Sequence, residues 1–158
     1  MVRIVVLIAA FVSLGGCRPH SASLTSEEQA IISDEVSESI RNYYADIRTN
    51  GLLAETKYLD SSGDFFWVPP GYSSPISYDS VVAVLKCKAV EFRSIDNKLD
   101  TLRVVPLSLD LASYSARILS RTIDTAGKES AYTLIETGLF IRRKEGWKLH
   151  SGQTAVLP

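Results

Sequence analysis

Two stretches of strand-forming sequence, 112–123 and 130–143, each run longer than ten residues, about twice the five or six of an ordinary strand. Strands of that length twist and coil, so a sheet built from them curls instead of lying flat. Shorter runs of the same kind lie at 99–107 and 146–156. The breaks between them are turn-formers: Leu109-Asp110, Asp124-Thr125-Ala126-Gly127 and Lys144-Glu145-Gly146. Consecutive strands joined by such short breaks predict an antiparallel meander.

A curled sheet has a concave face to cover, and the N-terminal half supplies helices for it. Thr25 followed by Glu28 makes a capping box. Ile32, Val36, Ile40, Tyr43, Tyr44 and Ile47 then recur at spacings of three and four, one apolar stripe on a long helix that stops at Asn50-Gly51. "LLAETKYL" predicts a short second helix, and Ser77 caps a third whose apolar contacts are Val81, Val82, Val84, Leu85 and Ala89. Between them lies "DFFWVPPGY", 64–72. Its aromatic residues favour a strand, and Pro69 and Pro70 end it because neither can donate to a ladder. Alternation sends Phe65 and Trp67 to one face and Phe66 and Val68 to the other. The turn then carries the chain over the mouth of the cone, with Tyr72 and Tyr78 near its rim. The predicted class is α+β: a curved antiparallel sheet of about five to six strands forming a cone, covered on its concave side by the N-terminal helices.

The first 17 residues say where such a domain is delivered. "MVRIVVLIAAFVSLGGC" has one positive charge, Arg3, then an apolar run from Ile4 to Val12. That run is too short to span about 30 Å of hydrocarbon and reads as a secretory signal. Leu14-Gly15-Gly16-Cys17 looks like a bacterial lipobox, which implies diacylglycerol transfer to the Cys17 sulfur, cleavage before it and acylation of the new amino terminus. Two or three chains, at about 0.8 kcal/mol per buried CH₂, hold a protein on a bilayer where one is marginal. The expected organisation is a signal peptide at 1–16, a lipidated tether at 17–24 and one domain at 25–158, held by acylated Cys17 to a bacterial envelope membrane on its periplasmic or cell-surface side. With Cys17 used, Cys87 of "VVAVLKCKAV" is left single, and the expectation is a buried, inert thiol. Cleavage removes Arg3 and no acid, leaving 16 basic and 18 acidic residues. That balance, with no basic cluster, excludes a nucleic-acid binder.

The order helix, short helix, strand, helix and long-stranded meander resembles the nuclear transport factor 2-like, or SnoaL-like, superfamily. The residues that carry the resemblance are Asp64 opening the first strand, Pro70-Gly71 closing it, "LSLDLASYSA" at 107–116, "DTAGK" at 124–128 and "ETGLFIRRKEGWKLHSG" at 136–152. It covers roughly 27–155. The resemblance implies a cone-shaped pocket, a homodimer through the outer sheet face, and reactions of the isomerase, dehydratase or cyclase type. It also implies that the last strand carries a histidine six residues after the tryptophan and a serine two further on. Those positions here are Gln153 and Ala155, so no catalytic residue is carried over. A neutral amide at 153 can donate and accept hydrogen bonds but cannot shuttle protons near neutral pH.

The residues themselves offer few other chemical constellations. His150 stands at odd spacing from Trp147, on the opposite strand face, and His20 sits in the tether. Asp60 and Asp64 flank a Ser-Ser-Gly turn, which speaks against paired catalytic carboxylates. Arg117, Arg121, Arg142 and Arg143 form a candidate basic ridge, with Glu129 or Glu136 as cross-strand partners. No metal-ligand spacing, phosphate loop or nucleophile elbow occurs, and no cofactor is implied. What remains is aromatic: Tyr43, Tyr44, Tyr58, Trp67, Tyr78 and Tyr114, with Gln153, are the candidate pocket residues, although core packing would account for most of these rings. The reading this favours is a membrane-anchored pocket for a small apolar or amphipathic molecule, without chemistry. An enzyme of the kinds named above would require an acid or base inside the cavity. A structural dimerisation module would have its cone filled by side chains.

Overall fold

The computed structural model describes residues 23–158; Cys17 and the signal sequence lie outside them. Helix α1 runs Ser26–Asn50. The Thr25 hydroxyl accepts from the Glu28 amide, and the Glu28 carboxylate accepts from the Thr25 amide at 2.7 Å, so the capping box is reciprocal. All six residues of the apolar stripe are buried. Gly51, at φ 81°, turns the chain out of α1 in a conformation that other residues resist. The segment Leu52–Tyr58 winds as a 3₁₀ helix and lays its inner side against α1. Strand β1 is Phe66–Val68, α2 is Tyr78–Ala89, and four strands follow: β2 Phe92–Ser108, β3 Leu111–Asp124, β4 Glu129–Arg143 and β5 Gly146–Leu157.

The sheet has five strands in the order β1-β5-β4-β3-β2. Strands β2 to β5 are an antiparallel meander, and β1 adds to β5 in parallel. Register shifts interrupt β2 three times against β3, near its start, its middle and its end. Bulges raise local twist and bend a strand, so these interruptions together with strand length curl the sheet. Helix α1 fills the concave side. Along β3, Ala112, Tyr114, Ala116, Ile118, Ser120 and Thr122 are all buried on that side, while Leu119 on the other side is exposed.

One further register shift decides which residues the last strand turns inward. Leu139 faces Ser151 while the next residue, Phe140, faces Leu149, so His150 has no partner and bulges. Trp147 and Leu149 point inward before the bulge, as period two predicts, and both are buried. After it the phase reverses: Gly152 and Thr154 face in, and Gln153 faces out and is exposed. The inward placement expected for Gln153 is therefore incorrect, because simple alternation does not survive an inserted residue.

Other expectations need correcting. Cys87 is exposed on α2, since only Val81 and Leu85 of that helix are buried. Three of the four arginines are held by acids elsewhere in the fold. Arg117 bonds Asp100 at 3.1 Å, Arg142 reaches Glu35 of α1 and lies 4.6 Å over the Trp147 ring, and Arg143 grips Asp60 with two bonds of 3.0 and 2.7 Å. Glu136 pairs with none of them. Asp60 is no open turn residue but a buried anchor that also accepts from Ser62 and lies 2.8 Å from His150 Nδ1. Burial works to raise its pKa, but Arg143, Ser62 and His150 outweigh it and hold the carboxyl well below the usual range.

Candidate functional site

Between α1, the 3₁₀ segment, α2 and the concave face of the sheet lies a cavity of about 290 Å³. Its walls are mostly apolar: Ile47, Leu52, Trp67, Val81, Leu85 and Leu134 among them, with Pro69 and Pro70 where β1 ends. This volume is about twice that of an engineered apolar cavity that binds benzene, which suits one or two rings or a short chain.

At one end stands Glu136, buried on β4. Both phenols that reach it donate to the same oxygen: Tyr44 from α1 at 2.9 Å and Tyr114 from β3 at 2.7 Å, each to Oε1. Thr154 of β5 donates to Oε2 at 3.1 Å, and the Trp67 indole N–H in turn donates to the Thr154 hydroxyl at 3.2 Å. An ionised carboxylate offers about four acceptor sites. Three are taken, which leaves one, on Oε2. Two glycines make room for this arrangement. Gly138 and Gly152 are register partners, and a Cβ on either would run into the Trp67 ring and into neighbouring backbone.

A second acid borders the same space. Glu55 comes from the 3₁₀ segment, is half-buried and lines the cavity. Burial, reinforced by the Glu136 charge and partly offset by the Tyr43 hydroxyl, pushes its carboxyl up to about 8. Burial also raises Glu136, against the pull of Tyr114, Tyr44 and Thr154. With three donors to Glu136 and one to Glu55, Glu136 is the first to ionise, and its charge then keeps the proton on Glu55. Burial and the Glu136 charge push the Tyr44 and Tyr114 phenols well above their usual range, so they act as donors only.

Of the sequence candidates, Tyr43, Tyr44 and Trp67 line the cavity, and Tyr114 stands behind Glu136 as its donor. The others lie elsewhere. Tyr58 turns its hydroxyl to Asp46 at 2.6 Å, on a groove across α1. Tyr78 packs edge-on against Phe65 and borders the Asp60 pocket. Gln153 lies in a depression of the outer sheet face. Sequence reasoning missed Glu55 and Glu136. For Glu136 a signal was present: the β4 positions Leu134, Glu136, Gly138 and Phe140 share one face by alternation, so taking the apolar Phe140 as inward would have turned Glu136 into the cone. Among the described residues, no cluster of three or more potential metal ligands occurs.

Helices over a curled five-strand sheet, with a cavity at their junction, is an architecture shared with solved structures. A candidate scytalone dehydratase from Novosphingobium aromaticivorans matches with a TM-score of 0.75 at 10% identity, over 85% of this chain and 89% of that one. A nuclear transport factor 2-like superfamily protein from Salmonella enterica serovar Typhimurium matches at 0.70 and 12% identity, over 82% and 93%. The chain has the nuclear transport factor 2-like fold. A third protein of similar fold, a type 3 hexachlorocyclohexane dehydrochlorinase from Novosphingobium barchaimii, reaches 0.68 at 9% identity over 85% and 92%. No family model matches this chain, and no curated protein does. At such identities the likeness concerns the fold alone, one that hosts many activities.

Proposed function

We propose that this domain binds a small, largely apolar molecule in its cone and moves a proton on it, with Glu136 as base and Glu55 as acid. The observation that carries the reading is the free acceptor site on Glu136 Oε2 in an apolar cavity that Glu55 also lines. Two carboxyls whose surroundings push their pKa values apart supply a base and an acid at the same pH. An elimination or isomerisation needs both, and needs no cofactor to run. Two proteins of similar fold bear the names of a candidate dehydratase and a dehydrochlorinase, and both names denote eliminations. Support for placing the domain at a bacterial membrane comes from the lipobox at Cys17.

A pocket that binds without chemistry is the alternative, favoured by the two phenols that saturate Glu136 Oε1. The two readings part on a substrate that asks only for a base. In 5-nitrobenzisoxazole the base takes the ring C–H proton, the N–O bond breaks and its electron pair leaves as a phenolate, which an acid can protonate. The parent protein should open this ring well above the rate of free carboxylate in buffer, and Glu136→Gln should remove about 10²-fold or more of that acceleration. A Glu136→Gln variant that is folded and as fast as the parent would leave binding alone as the function.

A further inference from the structure

The cavity has a second polar end, which the acid–base pair does not use. Asn97, Ser120 and Thr122 line it, beside Phe92 and Ile95. Asn97 and Ser120 are register partners on β2 and β3, and Ile95 and Thr122 are the next inward pair. Ser120 and Thr122 are buried. Asn97 Oδ1 is buried with no hydrogen-bond partner among the described residues. Oδ1 of the neighbouring Asp96 is in the same state; leaving such an oxygen unpaired destabilises a fold, and each case in a native structure calls for an explanation. An apolar side chain at 97 would fit neighbours such as Ile95 and avoid that cost.

The ladder gives the separation of the two ends. Glu136 lies opposite Ala116, and Ser120 lies four residues further along β3, about 13 Å at the rise of an extended strand. A cavity of about 290 Å³ drawn out over that length has a cross-section of about 20 Å², that of one hydrocarbon chain or a flat ring seen edge-on. Lys88 is the one cation among the described lining residues. Its ammonium is held by both Glu91 oxygens at 3.0 and 2.8 Å, so no free cation lines the cavity among the described residues.

We propose that the ligand is narrow, amphipathic and polar at both ends: one group meets Glu136, and an uncharged hydrogen-bonding group, a hydroxyl or an amide, meets Asn97 and Ser120. The inference rests on the cone being the binding site and does not require chemistry at Glu136.

Calorimetric titration with 1-nonanol and 1,9-nonanediol tests it, since the diol is about as long as the cavity and differs only by the second hydroxyl. Water solvates the diol better, so a site without a partner for that hydroxyl prefers the mono-alcohol. The parent protein should instead bind the diol more tightly, by roughly three- to tenfold, one hydrogen bond's worth. Asn97→Leu, similar in size, should reverse the preference, bind 1-nonanol as the parent does, and melt no lower than the parent. A parent that prefers 1-nonanol or binds neither alcohol, a diol preference that survives Asn97→Leu, or a lowered melting temperature in that variant would each overturn the proposal. The nitrobenzisoxazole is too short to reach Asn97 from Glu136. Its ring opening in the Asn97→Leu protein therefore scores the acid–base reading separately from this one.

Discussion

Glu55 and Glu136 cost the fold something that a pH titration can read. Burial raises both carboxyls above their unfolded values, Glu55 to about 8. Between the unfolded value near 4.3 and that folded value, the unfolded chain has released a proton that the native state still holds. The associated stability is complete below about pH 4 and is lost as pH rises through 8, by up to about 1.4 kcal/mol per unit for each such group. Asp60 has the opposite sign. Its folded pKa is depressed, so its contribution is intact above about pH 4 and is lost only on acidification. Across pH 5.5 to 8 the carboxyl pair therefore decides the trend. The melting temperature should fall over that window, and Glu55→Gln should flatten the slope. An equal slope in the variant would place Glu55 in ordinary solvent.

At the level of elements, β5 is the member on which the site depends. Its bulge at His150 moves Gly152 and Thr154 to the inner face, which gives Trp67 a bare surface and a hydroxyl to bond. A Cβ at Gly152 would collide with the Thr137 carbonyl, lie 2.5 Å from the Trp67 ring and 2.7 Å from Gly138 Cα. Two of these neighbours are backbone and cannot swing aside. Gly152→Ala should therefore destabilise the domain at the upper end of the about 1–3 kcal/mol typical of overpacking. It should also weaken any ligand held against Trp67. Chemical denaturation gives the number, and a midpoint equal to the parent's would show that the ring does not lie on this glycine. The short β1 has three residues and a single strand neighbour, so strain introduced at Gly152 falls first on it.

For the whole molecule, the proposed anchor and the fold make separate demands. If acylated Cys17 holds the domain at a membrane, the parent should sediment with washed membranes and Cys17→Ser should be recovered in the soluble fraction. Quantitative sedimentation of the variant would reject the lipid anchor. The same soluble protein tests the proposed pairing of two copies through the outer sheet face, where Phe66 and Leu119 are exposed. Sedimentation velocity should return twice the chain mass, and a monomer at high concentration would remove that pairing.

The sequence by itself determined the elements, because each rests on local physics. The α1 stripe, its capping box, the two prolines after β1 and the length of β3 and β4 are readable from neighbours in the chain, and together they require helices over a curled sheet. Trp147 and Leu149 were legible for the same reason, since they precede the bulge and period two still holds. The site was decided by the tertiary structure. Glu55 and Glu136 lie in segments far apart in sequence, and only the closure of the 3₁₀ segment over the sheet brings them to one cavity. Arg142 and Arg143 look like partners for a nearby glutamate until the fold gives them Glu35 and Asp60 instead. Gln153 was misplaced by one inserted residue, and an insertion leaves no mark on composition or spacing. Whether a buried carboxyl becomes a base or half of a salt bridge depends on which side chains arrive from other elements, and local sequence carries no record of those arrivals.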